Sequence, residues 1–126
     1  MELTKNVLIC VDQDIMLTAL KFRMEKQGYN VIHVSLGADV KEAVEEKSID
    51  LIISDLELKG ASALDIVKWA KAKGQVPPFL VMATLDDNGD TLLEALRNGA
   101  DDFIMKPFKP VELYFRINRM VPDLEV

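Results

Sequence analysis

Five short apolar runs punctuate the chain: VLICV (7–11), NVIHV (30–34), LIIS (51–54), FLVMA (79–83) and DFIM (102–105). Each is followed by a longer stretch in which apolar and charged residues alternate with helical spacing. The runs are short and mostly apolar on both faces, the pattern of strands covered by helices on either side of a parallel sheet. Between them, Leu17, Leu20 and Met24 fall at i, i+3, i+7, and Leu113, Ile117, Met120 and Val121 at i, i+4, i+7, i+8, which predicts helices with one core-facing stripe. Gly28, Gly74 and Gly99 mark the ends of the first, third and fourth helices. Ser62 followed by Asp65 resembles a capping box, Pro110 suits the first turn of the last helix, and Pro122 closes it. Alternating strands and helices predict βαβ units, hence an α/β fold of five strands and five helices. No repeat, low-complexity tract or linker interrupts the pattern, so residues 1–121 read as one domain and 122–126 as a short tail.

Composition narrows the function classes. A length of 126 residues with 49% hydrophobic residues supports one substantial core and argues against disorder. A net charge of −6 lacks the clustered Lys and Arg that phosphate backbones require, so direct nucleic-acid binding is not expected. The single cysteine, Cys10, lies in the first apolar run and reads as a small core residue; with no disulfide to form, a reducing cytoplasm fits. No signal peptide is evident, and no apolar run approaches the roughly 18 residues of a membrane span.

Polar residues gather where the predicted strands end. Buried carboxylates are costly unless a cation or hydrogen bonds compensate them, yet VLICV runs straight into Asp12, Gln13 and Asp14. Asp55 follows the third strand, Thr84 the fourth and Lys106 the fifth. In an open parallel sheet these carboxyl ends share one edge. Singly, each residue could merely mark the point where a strand meets solvent. Together they supply a nucleophile, acidic metal ligands, a hydroxyl and an ammonium, the parts of a phosphoryl-transfer site.

The blocks VDQD, LIISDLELKG and ALRNGADDFIMKPF resemble the three signature blocks of the receiver domain of two-component response regulators, over about Val7 to Val121. The resemblance implies a flavodoxin-like (βα)5 three-layer sandwich with a parallel sheet in the order 2-1-3-4-5. It also implies a phosphoryl group received from a histidine kinase or phosphotransfer protein, and a downstream effector as output partner. By the same resemblance Asp55 is the phosphoacceptor and Lys106 the lysine that pairs with it. Asp12 and Gln13 occupy the acidic-pair positions that hold Mg2+ together with Asp55 and the backbone carbonyl of Glu57. The hydroxyl position falls on Ala83 or Thr84, and counting back from Gly99 assigns it to Thr84; Phe103 matches the aromatic that switches rotamer on activation. A cis peptide is expected at Lys106-Pro107. Asp101, Asp102, Glu112, Arg116 and Arg119 occupy places that form intermolecular ion pairs in a transcription-factor subclass, implying a homodimer through the last two helices.

Several positions depart from the family pattern. Gln13 is neutral where an acid is usual, Lys59 and Ala63 replace a common Pro and Gly, and Leu85 replaces a small residue beside Thr84. Gln13 keeps open a receiver fold that binds partners without phosphorylation. VLICVDQD also fits the opening motif of haloacid-dehalogenase-type phosphatases, with Asp12 as nucleophile and Asp14 as general acid, although Lys106 then falls on the wrong side of Asp101 and Asp102. His33, the only histidine, lies in the second strand without a helical dimerisation segment, and a phosphodonor role is not expected. Trp69 reads as packing, and EAVEEK as a solvated helix face.

Overall fold

The structure, a computed structural model, describes residues 4–12, 15–74 and 77–121. Gln13, Asp14, Pro122 and the expected tail lie outside the described residues. Five strands form one parallel sheet: β1 (Asn6–Cys10), β2 (Asn30–Val34), β3 (Leu51–Asp55), β6 (Phe79–Ala83) and β7 (Asp102–Met105), in the order β2-β1-β3-β6-β7. Two further strands, β4 (Glu57–Leu58) and β5 (Ala61–Ser62), make a small antiparallel hairpin after β3. Setting the hairpin aside, the order is the expected 2-1-3-4-5. The helices are α1 (Ile15–Lys26), α2 (Gly37–Glu46), α3 (Ala63–Ala72), α4 (Gly89–Arg97) and α5 (Pro110–Met120).

Side chains alternate across the sheet because successive residues of a strand point to opposite faces. Val7, Ile9, Leu51, Ile53, Leu80, Met82 and Ile104 pack with Leu17, Leu20 and Met24 of α1 and Leu113 and Ile117 of α5. Leu8, Cys10, Ile52, Phe79 and Val81 meet Val40 of α2, Ile66 and Val67 of α3 and Ala95 of α4. Both helical stripes and both sheet faces are therefore buried, at about 1.5–3 kcal/mol for each large apolar side chain withdrawn from water. The edge strand β2 is only half-buried.

Local signals operate as the sequence indicates. Ser62 caps α3 by accepting from Asp65 N at 3.2 Å while its own N–H donates to the Asp65 carboxylate at 3.0 Å, a complete capping box. Pro110 opens α5, and Gly28, Gly74 and Gly99 adopt positive φ. The hairpin is the element not anticipated. Leu58 pairs with Ala61 across Lys59-Gly60, where Gly60 has φ 88°. Its strands are too short to carry a hydrophobic period, so only the turn glycine announces them.

Gly37 has a different constraint, since a Cβ there would collide with the Cβ of Ala61 and come within 3.0 Å of the Ala61 nitrogen. Gly37→Ala is expected to destabilise the protein by about 1–3 kcal/mol through overpacking. Gly89, in the first turn of α4, faces open space, and Gly89→Ala is expected to stabilise by about 0.4–1 kcal/mol by restricting the unfolded chain. Urea denaturation checks both; equal effects would show that the α2–hairpin contact is not tight.

Candidate functional site

Asp55 is the last residue of β3, paired in register with Met82 of β6. The strand carries it there by an unbroken buried run, Leu51 to Ser54. Ser54, the one buried polar residue among those described, satisfies its hydroxyl by donating to the Asp55 carbonyl at 2.8 Å. Beyond Asp55 the backbone stays tied down, with Leu56 N donating to Met82 O at 2.8 Å and Ala63 N to Leu56 O at 2.7 Å. The carboxylate is thus presented on a rigid base.

Lys106 comes from the opposite side of the site. β6 and β7 pair up to Ala83↔Met105, and Lys106 N then donates to Ala83 O at 2.8 Å. The Lys106-Pro107 peptide is cis, as expected. The Lys106 ammonium lies 2.6 Å from Asp55 Oδ1, with the two side chains only 21% and 17% exposed. An ion pair so withdrawn from water is screened little, and removing either partner leaves the other charge poorly solvated.

The remaining predicted residues are distributed around this pair. Register Cys10↔Ser54 sets the ends of β1 and β3 side by side, and Asp12 follows as an exposed residue. Gln13 lies outside the described residues. Glu57 is exposed and begins β4, with its backbone in register with Ser62. Ala83 is buried at the end of β6, and Thr84 directly follows it, half-buried. The Thr84 hydroxyl accepts from Asp86 N at 3.3 Å, while Thr84 N donates to the Asp87 carboxylate at 2.8 Å. This tight turn leaves Leu85 almost fully exposed at its tip, 91%. Phe103 is half-buried and packs with the cluster that includes Leu92 and Leu96 of α4. Among the described residues, no three His, Cys, Asp or Glu side chains gather as a metal-holding group. The oxygens at the edge, from Asp12, Asp55 and Glu57, are hard donors.

Residues singled out for other reasons also find places. Asp101 Oδ2 accepts from Phe79 N at 2.8 Å, and Arg116 donates to Asp102 Oδ1 at 3.1 Å within the chain. Trp69 is half-buried on α3, with the ammonium groups of Lys41 and Lys73 at 5.7 and 5.9 Å from its ring centre. Glu42, Glu45 and Glu46 are exposed, as EAVEEK indicated. Sequence reasoning weighed His33 only as a phosphodonor and did not anticipate its contact, Nε2 lying 2.9 Å from the Val11 carbonyl. No motif marks such a contact; a lone polar ring in an edge strand is its only trace.

A parallel sheet in this order with helices on both faces defines the flavodoxin-like class of α/β proteins, and here an aspartate–lysine pair stands at its carboxyl edge. A family model for the response regulator receiver domain matches residues 7–118, and the chain belongs to that family. It is 29% identical over 124 residues to the alkaline phosphatase synthesis transcriptional regulatory protein PhoP of Bacillus subtilis, covering 98% of this chain and 51% of that protein. Over 118 residues it is 32% identical to the aerobic respiration control protein ArcA of Escherichia coli K12, covering 94% and 49%. The chain therefore spans about half the length of the curated relatives it matches. Among solved structures, it superposes with TM-score 0.83 and 23% identity on the receiver domain of the sensor histidine kinase PA1611 of Pseudomonas aeruginosa, covering 95% of this chain and 99% of that one. That structure carries a magnesium ion coordinated in its active-site cleft. No helix among the described residues is long and apolar enough to cross a membrane.

Cys10 lies beneath the site, in register with Ser54. Burial, with a smaller contribution from the Asp55 charge, pushes its thiol from 9.0 up to about 12. Burial likewise pushes the Tyr29 hydroxyl up to about 12. In both cases the folded state holds its proton over a range where the unfolded chain releases it, so stability is expected to fall as pH rises from about 9 toward 12. At pH 8, iodoacetamide should leave native Cys10 unmodified and alkylate it fully in urea. Stoichiometric labelling of the native protein would contradict this burial.

Proposed function

We propose that the chain is a phosphoacceptor receiver domain that takes a phosphoryl group onto Asp55 from the phosphohistidine of a kinase or phosphotransfer protein in the cytoplasm. The observation that carries this reading is the 2.6 Å contact between Lys106 and Asp55 at the carboxyl edge of the sheet. An Asp55 carboxylate oxygen attacks phosphorus, the bond from phosphorus to the donor imidazole nitrogen breaks, and an acyl phosphate forms. Repulsion between the carboxylate and the phosphoryl oxygens opposes this step, and the Lys106 ammonium offsets it. Asp12, Gln13, Asp55 and the Glu57 carbonyl would hold Mg2+, which prefers oxygen ligands and keeps several waters. When bound, the ion supplies further charge neutralisation. The Thr84 hydroxyl, which accepts from Asp86 N in its turn, then donates its O–H to a phosphoryl oxygen. Phe103 follows by repacking beneath α4.

The output in this reading is a changed surface along α4, β7 and α5 that engages an effector. The same surface fits a homodimer, since Val111 and Phe115 of α5 are exposed beside Glu112, Arg116 and Arg119. Exposed ion pairs there are worth about 0–1 kcal/mol each, so they select a register that apolar contact must hold. A second reading, partner binding without phosphorylation, draws on the neutral Gln13.

Acetyl phosphate or a partner kinase is expected to label the wild type, and Asp55→Asn to abolish the label. A hydroxylamine-sensitive label surviving in Asp55→Asn would transfer the role to another aspartate, Asp12 foremost, as the phosphatase motif requires. No label in the wild type would favour the phosphorylation-independent module.

Gln13→Asp restores an anionic ligand at the acidic pair. At an effective dielectric of about 20, a unit charge beside an ion is worth several kcal/mol before desolvation, so Mg2+ affinity is expected to rise about tenfold or more. Like charges crowded together in the metal-free state should lower its thermal midpoint. A Mg2+ titration followed by Trp69 fluorescence tests this, and unchanged affinity would mean that residue 13 does not face the metal.

A further inference from the structure

We infer that His33 is a positioning residue for the end of β1 that leads into Asp12, an inference that rests on the phosphoacceptor reading. β1 and β2 run in register from Asn6↔Asn30 to Cys10↔Val34, with Ile9 opposite His33. One more ladder bond follows, from Val11 N to Val34 O at 3.2 Å. There β2 ends and the chain leaves the sheet, with Leu36 forming its bridge to Lys59 and Gly37 N donating to Lys59 O at 2.9 Å. In a parallel ladder the N–H and C=O of one residue face the same neighbouring strand. The Val11 carbonyl is therefore left facing a strand that has turned away.

His33 fills that place, its Nε2 lying 2.9 Å from the Val11 oxygen. A carbonyl can only accept, so Nε2 carries the hydrogen and donates it. The imidazole reaches two residues along β1 from its own register partner, as a diagonal cross-strand neighbour can. Val11 is consequently held twice, at N–H by the Val34 backbone and at C=O by the His33 side chain. Asp12 is the next residue, and it is exposed. With Gln13 contributing no charge, the placement of Asp12 weighs more heavily than in a site with two acids. The contact acts at one remove, by fixing the backbone that aims a ligand, as outer partners of metal ligands commonly do.

The test compares the wild type with His33→Leu, which fills space without a donor, His33→Asn, which is polar but too short to reach, and His33→Gln, whose amide can donate across the same gap. Two quantities are read in the full chain: Mg2+ affinity by titration calorimetry, and the hydrogen-exchange rate of the Asp12 amide by NMR. Leu and Asn are expected to weaken Mg2+ binding on the order of tenfold and to speed Asp12 exchange. Gln should restore most of both. Unchanged affinity and exchange in the Leu and Asn variants overturn the inference, as does a loss in Gln equal to that in Leu. If Leu does not fold, Asn and Gln still form the decisive pair. A wild type that binds no Mg2+ and accepts no phosphoryl group overturns the phosphoacceptor reading instead, and Asp12 exchange then still decides whether His33 holds the backbone at Val11 and Asp12.

Discussion

Burial of the sheet on both faces is the constraint on which the rest depends. Residues of β1, β3 and β6 feed two cores at once, Val7 and Ile9 on one side and Leu8 and Cys10 on the other. Almost nothing polar can be placed within such strands at an acceptable desolvation cost, and Ser54 is tolerated because its hydroxyl bonds to the adjacent carbonyl. Polar chemistry is thereby driven to the strand ends. Because every strand of the sheet runs in the same direction, those ends coincide at one edge, and Asp12, Asp55, Thr84 and Lys106 arrive there from four strands.

That logic explains why much of the fold is legible in the sequence. Two-faced apolar runs identify the five sheet strands, and the period of Leu17, Leu20 and Met24 identifies the buried side of α1. Glycines at positive φ and the Ser62–Asp65 box mark where helices end and begin. The β4–β5 hairpin escapes because two-residue strands carry no period, and the run ending at Ser54 extends one residue further because Asp55 still pairs with Met82. At the site, spacing alone predicts that the polar residues share an edge but not which of them touch. The pairing of Asp55 with Lys106 was legible through resemblance to the receiver family; its distance and burial were not. The bond from His33 to Val11 depends on where β2 stops, which the apolar pattern does not specify.

Electrostatics gives the aspartate–lysine pair a further significance. In the state described, the two charges lie 2.6 Å apart with both side chains mostly withdrawn from water. A phosphoryl group on Asp55 would replace one negative charge with a larger one displaced outward, and Lys106 would have to follow it or lose its partner. Since Lys106 N is bonded to Ala83 O, adjacent to Thr84, movement there bears directly on the turn from Thr84 to Asp87. The ligand's differential contacts with two backbone arrangements, rather than its presence alone, would then set the balance between them.

Why such a shift should be expressed at α4 follows from how unevenly the helices are anchored. α3 buries Ala63, Ile66, Val67 and Ala70, whereas α4 buries Ala95 alone. Leu92 and Leu96 are half-covered, Leu93 is exposed, and Phe103, which packs against the same buried cluster, is itself only half-buried. An element with few fully buried contacts opens or shifts at lower free energy than its neighbours. The turn preceding α4 is built from polar bonds among Thr84, Asp86 and Asp87, in which the Thr84 hydroxyl oxygen accepts from Asp86 N and its O–H stays available to a new acceptor. On the other side of the sheet, Leu17, Leu20 and Met24 of α1 and Leu113 and Ile117 of α5 are all buried against it. In the proposed reading, a charge change at Asp55 would therefore pass along β6 and β7 into α4, the helix with the fewest fully buried residues among α2 to α5.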